Sequence, residues 1–449
     1  MIRKILVANR GEIACRVFRS CAKLGIATVA VYSTADAHAR HVAVADAAAC
    51  IGPPPANASY LQGDKIIAVA KRLGADAIHP GYGLLSENAA FARAVVEAGL
   101  IWIGPPPHAI EIMGDKVAAR QAVAAAGVPC VPGSGGTVAS VADACSAAED
   151  IGYPVMLKAA GGGGGIGMYV AHDAAELERA FATGSKQAQK FFGNASVYLE
   201  KYIASARHVE VQLLGLADGT MVAVGDRDCS AQRRHQKVVE EAPAPGLSDG
   251  ERDKLHQLAC RIAAAVDYRG AGTIETIFDR DSRHVYFLEM NTRLQVEHAI
   301  TEMVSGVDLV AAQIAIADGR DPGLPQPIKA EGHAFELRVC AEDPVRFLPS
   351  PGAISAWREP VGDGVRVDAG YRQGDTVTPY YDSLMAKLCV WAPTRLAALD
   401  KLARAATEFH IEGLKTTLAV ASRLAADARF RANTHDTSIL AKLSSAATT

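Results

Sequence analysis

The chain has 449 residues, too many for one compact core; a length of this order fits two to four domains. Hydrophobic residues make up 49% but aromatic ones only 6%, so the cores must be aliphatic and rich in alanine. The 46 basic and 49 acidic residues nearly balance, which removes any general electrostatic case for a nucleic-acid or membrane partner.

Met1-Ile2-Arg3-Lys4-Ile5 runs straight into a strand-like segment, with no signal-peptide pattern and no apolar run long enough to span a bilayer. Nine scattered cysteines without a Cys-x-x-Cys pair argue against a thiolate metal site and for a reduced, cytoplasmic compartment.

The fold class read from the chain is α/β. Residues 4–8 form a short apolar run. Residues 11–24 have helical spacing, with Ile13, Val17, Cys21 and Leu24 on one face and Gly25 as the stop. Strands are expected over 28–32, 75–79 and 100–103, the last two each after a helical stretch ending in glycine, and this βαβ alternation implies a parallel sheet. The loops beyond its carboxyl ends, Asn9-Arg10-Gly11-Glu12 and His79-Pro80-Gly81-Tyr82-Gly83, lie where ligands tend to bind, although simple connection explains the first about as well.

A second part begins near Asp115-Lys116, and Pro132-Gly133-Ser134-Gly135-Gly136 marks a boundary or hinge. Strands are expected over 154–158, 168–170, 197–200 and 208–214, with a capping-box-like helix start at Asp173-Ala174-Ala175-Glu176. Pro322, Pro325 and Pro327 suit a linker to a third part, which opens with a strand over 334–339 and ends with an amphipathic helix over 396–409. No internal repeat is evident.

Five glycines, Gly161 to Gly165, precede Ile166-Gly167. Gly162, Gly164 and Gly167 formally match GxGxxG, yet the loop leads into a strand and lacks the Gly-Lys-Ser/Thr ending of a P-loop. Bare backbone N–H groups can approach phosphate closely, and Lys158, at the end of an apolar strand, favours an anion over a plain flexible linker.

The run from Asp228 to Lys237 is dense in donors and, on its own, reads more readily as a solvated face. His208, Glu210 and Gln212 alternate along one strand. Glu275 faces the strand of Glu289 if residues 279–283 close a hairpin, and with Asn291 these two offer oxygen ligands suited to Mg²⁺. Along 287–298, Glu289, Asn291, Arg293, Gln295 and Glu297 recur at every second position. An extended segment would array them on one face as a surface for a metal, an anion and a proton transfer.

Together these stretches resemble biotin carboxylase, the ATP-grasp component of biotin-dependent carboxylases. The resemblance spans essentially the whole chain. It rests on Ala8–Ala14, His79–Gly83 with Ser86-Glu87-Asn88, Met113–Lys116, the glycine loop, Arg207–Glu210, Arg227–Pro245, Glu289–His298 and Tyr380-Tyr381-Asp382-Ser383.

The resemblance implies an N-terminal domain over 1–114, an ATP-grasp domain over 115–320 with a glycine-rich lid at about 131–203, and a C-terminal domain over 330–449. It further implies that Lys116, Lys158, Gly164, Gly165 and His235 meet nucleotide phosphates, that Glu200, Lys201 and Ile203 surround the adenine, and that His208 and Gln232 lie near ribose and phosphates. Glu275, Glu289 and Asn291 match metal ligands for Mg²⁺ or Mn²⁺. Lys237, Arg293, Gln295 and Val296 match a bicarbonate site, Glu297 the base, and Arg338 the residue that stabilises enolate-like biotin.

No Met-Lys-Met biotinylation motif is present, so biotin is expected on a separate carrier protein, with carboxyltransferase subunits as further partners. Homodimerisation is usual in the family, and Lys23 and Asp363 fall where an interface is expected. The implied reaction is the first half-reaction of an acyl-CoA carboxylase, with acetyl-CoA the leading acceptor and fatty acid biosynthesis the setting. A urea-type carboxylase, another ATP-grasp ligase and a silent nucleotide-binding regulatory subunit are the alternatives.

Ile166 and Tyr169 stand where relatives commonly carry basic residues. Less positive charge in the lid predicts an altered ATP affinity, so Ile166→Arg should shift nucleotide affinity in a binding titration. An unchanged constant would refute this.

Overall fold

The computed structural model describes residues 1–161, 167–234 and 236–446. The expected phosphate contacts Gly164, Gly165 and His235, with Gly162 and Ile166, lie outside the described residues.

Five parallel strands form the first sheet: β1 (Lys4–Val7), β2 (Ala27–Ser33), β3 (Ala47–Gly52), β4 (Ala77–His79) and β5 (Ile101–Trp102), in the order β3-β2-β1-β4-β5. The helix Gly11–Lys23 buries Ile13, Val17 and Cys21, as its spacing predicts. Leu24 is instead half-exposed, because the helix has already ended. The loops after β1 and β4 are joined: Asn9 Nδ2 donates to the carbonyls of Pro80 and Tyr82, each at 2.7 Å. Gly81 has φ +65°, and a Cβ there would lie 2.8 Å from Asn9 Nδ2, so only glycine permits this closure. The loops are therefore a built surface and not mere connections.

A three-stranded antiparallel sheet follows, β6 (Val155–Ala159), β7 (Tyr169–Ala171) and β8 (Val197–Lys201), with β6 central. The helix Ala174–Phe192 packs on it and starts at Asp173, whose side chain accepts from Glu176 N at 2.8 Å.

The largest sheet has eight strands, in the order β13-β12-β9-β10-β11-β14-β19-β17. These are β9 (Ala206–Gly215), β10 (Met221–Arg233), β11 (Gln236–Ala242), β12 (Gly270–Asp279), β13 (Val285–Asn291) and β14 (His333–Cys340). Beyond β14 come the small β15 (Gly352–Ala353) and β16 (Ala356–Arg358), then β17 (Val365–Ala369), the small β18 (Thr376–Val377), β19 (Leu384–Ala392) and the small β20 (His410–Glu412). The small strands pair among themselves, β15 with β18 and β16 with β20.

The β11–β14 ladder, with Glu240 opposite Glu336, carries the residues after 330 into the same sheet as the middle of the chain. The amphipathic helix Arg395–Glu408 covers β14 and β19 with Leu399 and Leu402. Among the described residues no single helix is long and apolar enough to cross a membrane.

Candidate active site

The expected hairpin exists, and its register explains the site. Arg227 on β10 pairs with Glu210 on β9, Glu210 with Glu275 on β12, and Glu275 with Glu289 on β13. Directly opposite residues share a face, so three carboxylates and one guanidinium form a continuous row across four strands. Like charges in adjacent positions repel, and the row folds only with cations between them. Arg227 Nε donates to Glu210 Oε1 at 2.6 Å. Lys237 Nζ, from β11, donates to Glu210 Oε2 at 2.6 Å, Glu275 Oε1 at 2.7 Å and Glu297 Oε1 at 2.8 Å. Burial lowers the Lys237 ammonium, but Glu210, Glu275 and Glu297 outweigh it and hold the group charged, well above its ordinary range. Burial likewise raises Glu275, but Lys237 and His208, whose Nε2 lies 3.0 Å from Glu275 Oε2, bring it below the usual carboxylate range.

The segment after Glu289 corrects the expectation of one long extended row. β13 ends at Asn291, the chain bends at Arg293, and Glu297 is the N-cap of the helix His298–Ser305. Leu294, within the bend, is fully buried. The alternating polar side chains nevertheless meet, because Arg293 bridges the bend: it donates to Asn291 Oδ1 and Gln295 Oε1, both at 2.8 Å, and to Glu87 Oε2 at 3.0 Å. Asn291 Nδ2 and Gln295 Nε2 both reach Glu275 Oε1, at 2.9 and 3.0 Å.

Glu297 is fully buried beneath this floor. Arg338 Nη2, from β14, donates to Glu297 Oε2 at 3.0 Å while its Nε donates to Glu240 Oε1 at 2.6 Å. Burial pushes the Glu297 carboxyl up, but Lys237, then Arg338 and Arg227, hold it well below the usual range.

All this opens on one cleft of about 1460 Å³. Every expected site residue among those described lines it except Glu297. Lys116 enters at the start of the helix Lys116–Ala125, and burial, with Lys158 nearby, lowers its ammonium although Glu289 opposes the shift. Lys158 on β6 bonds Glu200 on β8, and Arg120 Nη1 reaches the same carboxylate at 2.6 Å. Lys201, which also lines the cleft, turns its ammonium to the carbonyls of Gly152 and Tyr153, at 2.8 and 2.9 Å, so its side chain braces the small sheet.

The oxygen donors fit a hard divalent cation. Glu275 and Glu289 sit opposite each other on antiparallel strands, with Asn291 on the same hairpin. Burial, then the neighbouring Glu275, raises the Glu289 carboxyl, which is what a carboxylate pair shows where a cation would relieve repulsion.

Sequence reasoning missed Glu87, Arg120, Arg227 and Glu240 as members of the site. Glu87 lies inside a quoted motif but has no periodic signal. Glu240, on β11, becomes relevant only through pairing with β14.

A five-stranded parallel sheet, a small three-stranded sheet and a carboxylate-floored cleft with lysines from separate elements define an ATP-grasp ligase. Three family models match in order: biotin carboxylase N-terminal domain over residues 1–110, carbamoyl-phosphate synthase L chain ATP binding domain over 115–323, and biotin carboxylase C-terminal domain over 336–442. The chain is 52% identical over 419 residues to a biotin carboxylase of Halalkalibacterium halodurans, covering 93% of this chain and 92% of the relative. It is 49% identical to the alpha subunit of the mitochondrial methylcrotonoyl-CoA carboxylase of Glycine max, covering 94% of this chain and 58% of that one.

Among solved structures, the biotin carboxylase–β,γ-ATP complex of Campylobacter jejuni superposes with a TM-score of 0.94 at 45% identity, covering 98% of this chain and 99% of that one. The biotin carboxylase domain dimer of Hydrogenobacter thermophilus 2-oxoglutarate carboxylase, solved with MgADP, ADP and bicarbonate, gives 0.93 at 45%, covering 98% of each. The chain belongs to the biotin carboxylase family.

Replacing Lys237 by Met would leave three neighbouring carboxylates without their shared cation. Lys237→Met should lower the unfolding free energy by about 3–5 kcal/mol in denaturant titration. A loss well under about 1 kcal/mol would show that the row is neutralised by other groups.

Proposed function

We propose that the chain carboxylates biotin, presented on a separate carrier protein, from bicarbonate and ATP by way of carboxyphosphate. The observation that carries this reading is the floor of the cleft: Glu297, held ionised by Lys237 and Arg338, lies beneath the anion-suited group Arg293, Gln295 and Val296. Lys116 and Lys158 are proposed to hold the nucleotide phosphates, with Gly164, Gly165 and His235 contributing from outside the described residues. Glu200, Lys201 and Ile203 are proposed to surround the adenine, and His208 and Gln232 to lie near the ribose and phosphates. Glu275, Glu289 and Asn291 would hold Mg²⁺, which when bound offsets charge on the transferring phosphates.

The chemistry follows from charge placement. A carboxylate held below its usual range is a weak base toward free bicarbonate. Lys237 and Arg293, however, also stabilise the second negative charge that develops on bicarbonate, so the transfer to Glu297 becomes feasible. The freed oxygen attacks the γ-phosphorus, the bond to the bridging oxygen breaks, and ADP leaves. Carboxyphosphate splits into CO₂ and phosphate. Phosphate takes the ureido proton of biotin, and the nitrogen attacks CO₂.

Arg338 is proposed to stabilise the urea oxygen as it gains charge. In the described state Arg338 holds Glu297 Oε2, so turning toward biotin as it binds, before bicarbonate loses its proton, would release that oxygen to receive the proton.

Residues 1–114, 115–320 and 330–449 are proposed as the three domains, with about 131–203 as a lid; the spans of the three family models support this division. An acyl-CoA acceptor, acetyl-CoA foremost, carboxyltransferase partners, a homodimer and residence in the cytoplasm belong to the same proposal. The free cysteines accord with a reduced compartment.

ADP release that requires bicarbonate and rises with free biotin tests the reading; release indifferent to both would refute it. In that assay Glu297→Gln should keep ATP binding and lose turnover by roughly 10²–10⁴-fold. Arg338→Ala should spare bicarbonate-dependent ATP cleavage more than biotin carboxylation. Near-normal turnover in the first variant, or equal losses in the second, would contradict these roles.

A further inference from the structure

Lys387 takes no part in the reaction described so far and has no solvent exposure. It is the one charged residue of β19, Leu384–Ala392. Its Nζ donates to the carbonyl oxygen of Val296 at 2.7 Å. Nearby lie Glu12 Oε1 at 3.5 Å and Asp368 Oδ2 at 4.0 Å. Glu12 in turn accepts from the hydroxyl of Tyr82, so both loops at the end of the first sheet are tied to this lysine.

Burying an ammonium is costly even with counterions, and an apolar residue of similar volume would stabilise a sheet interior as well or better. Stability alone therefore does not account for it.

The register shows what it does. Arg338 on β14 and Lys387 on β19 are direct cross-strand partners. Two cations side by side repel, yet both reach the same dipeptide: Arg338 takes the carboxylate of Glu297, and Lys387 takes the carbonyl of Val296 just before it. Val296 faces the cleft, whereas Lys387 lies behind it, so the bond draws a carbonyl oxygen away from the surface that must receive an anion.

We propose that Lys387 is a positioning residue that fixes the Val296–Glu297 peptide, keeping the carboxylate of Glu297 aligned with bicarbonate when Arg338 turns to biotin. This rests on the reading of Glu297 as the base. It separates two tasks that one arginine cannot perform together: anchoring the base and stabilising the carboxyl acceptor.

The test compares Lys387→Met, Glu12→Gln/Lys387→Met and Lys387→Met/Glu297→Gln with the wild-type chain. MgATP binding is followed by titration and bicarbonate-dependent ADP release by steady-state kinetics. Lys387→Met should lower kcat/KM for bicarbonate about 10²-fold, the scale of a small misplacement of a reacting group, and leave MgATP affinity at the wild-type level. The doubly neutral Glu12→Gln/Lys387→Met variant keeps the local charge balance and should remain as impaired; it carries the comparison if the single variant does not fold. Recovery to wild-type kcat/KM in it would show that Lys387 merely balances charge and would overturn the proposal. In the Glu297→Gln background, Lys387→Met should cost nothing further, because both act through one group. A second loss of the same size would also overturn it. If Glu297→Gln itself retains turnover, the base reading fails; if that variant is inactive while Lys387→Met is unimpaired, only this inference fails.

Discussion

The structure depends on one ammonium among three carboxylates. Glu210, Glu275 and Glu297 come from two strands and a turn, and Lys237 from a further strand; each Lys237 contact is 2.8 Å or shorter. Strand register puts Glu210, Glu275 and Glu289 in a line, and neighbouring carboxylates would force the hairpin and the central strands apart unless cations stood between them. Arg227 closes one end of the line and Lys237 its middle. The end at Glu289 opens on the cleft, where a divalent cation and nucleotide phosphates are proposed to complete the charge pattern. Fold and catalysis thus draw on the same electrostatics.

From this row the charge continues across the sheet. β11 joins β14, so Glu240 meets Arg338, and Arg338 neighbours Lys387 on β19. The C-terminal third of the chain therefore supplies the far wall of the site. The N-terminal loops close it from the other side, through Glu87 on Arg293 and Glu12 near Lys387. The small sheet adds Lys158 and Glu200, whose ion pair sits where phosphates and adenine are proposed to bind.

Much of this was legible in the chain. The βα alternation gave the parallel sheet, because amphipathic spacing and glycine stops are local signals. The hairpin pairing Glu275 with Glu289 was expected if the polar loop over 279–283 closed, and the structure has that register. The polar alternation from Glu289 to Glu297 picked out side chains that the structure brings together, but through the wrong geometry. It implied a strand, whereas the chain bends after Asn291 and Arg293 gathers the side chains through hydrogen bonds. Lys387 carried the same signal as Lys158, a lone lysine in an apolar strand, and that signal was read only where glycines followed.

The sequence by itself determined which residues bear charge, where strands and helices alternate, and which family motifs occur in order. Those properties are local: they follow from side-chain chemistry and from periods of two and 3.6 residues. Only the tertiary structure decided that Glu240 would face Arg338, that Glu87 would hold Arg293, and that Lys387 would grip the peptide before Glu297. These contacts join residues 91 to 206 positions apart, and strand order across the eight-stranded sheet, which no local period encodes, sets which charges become neighbours.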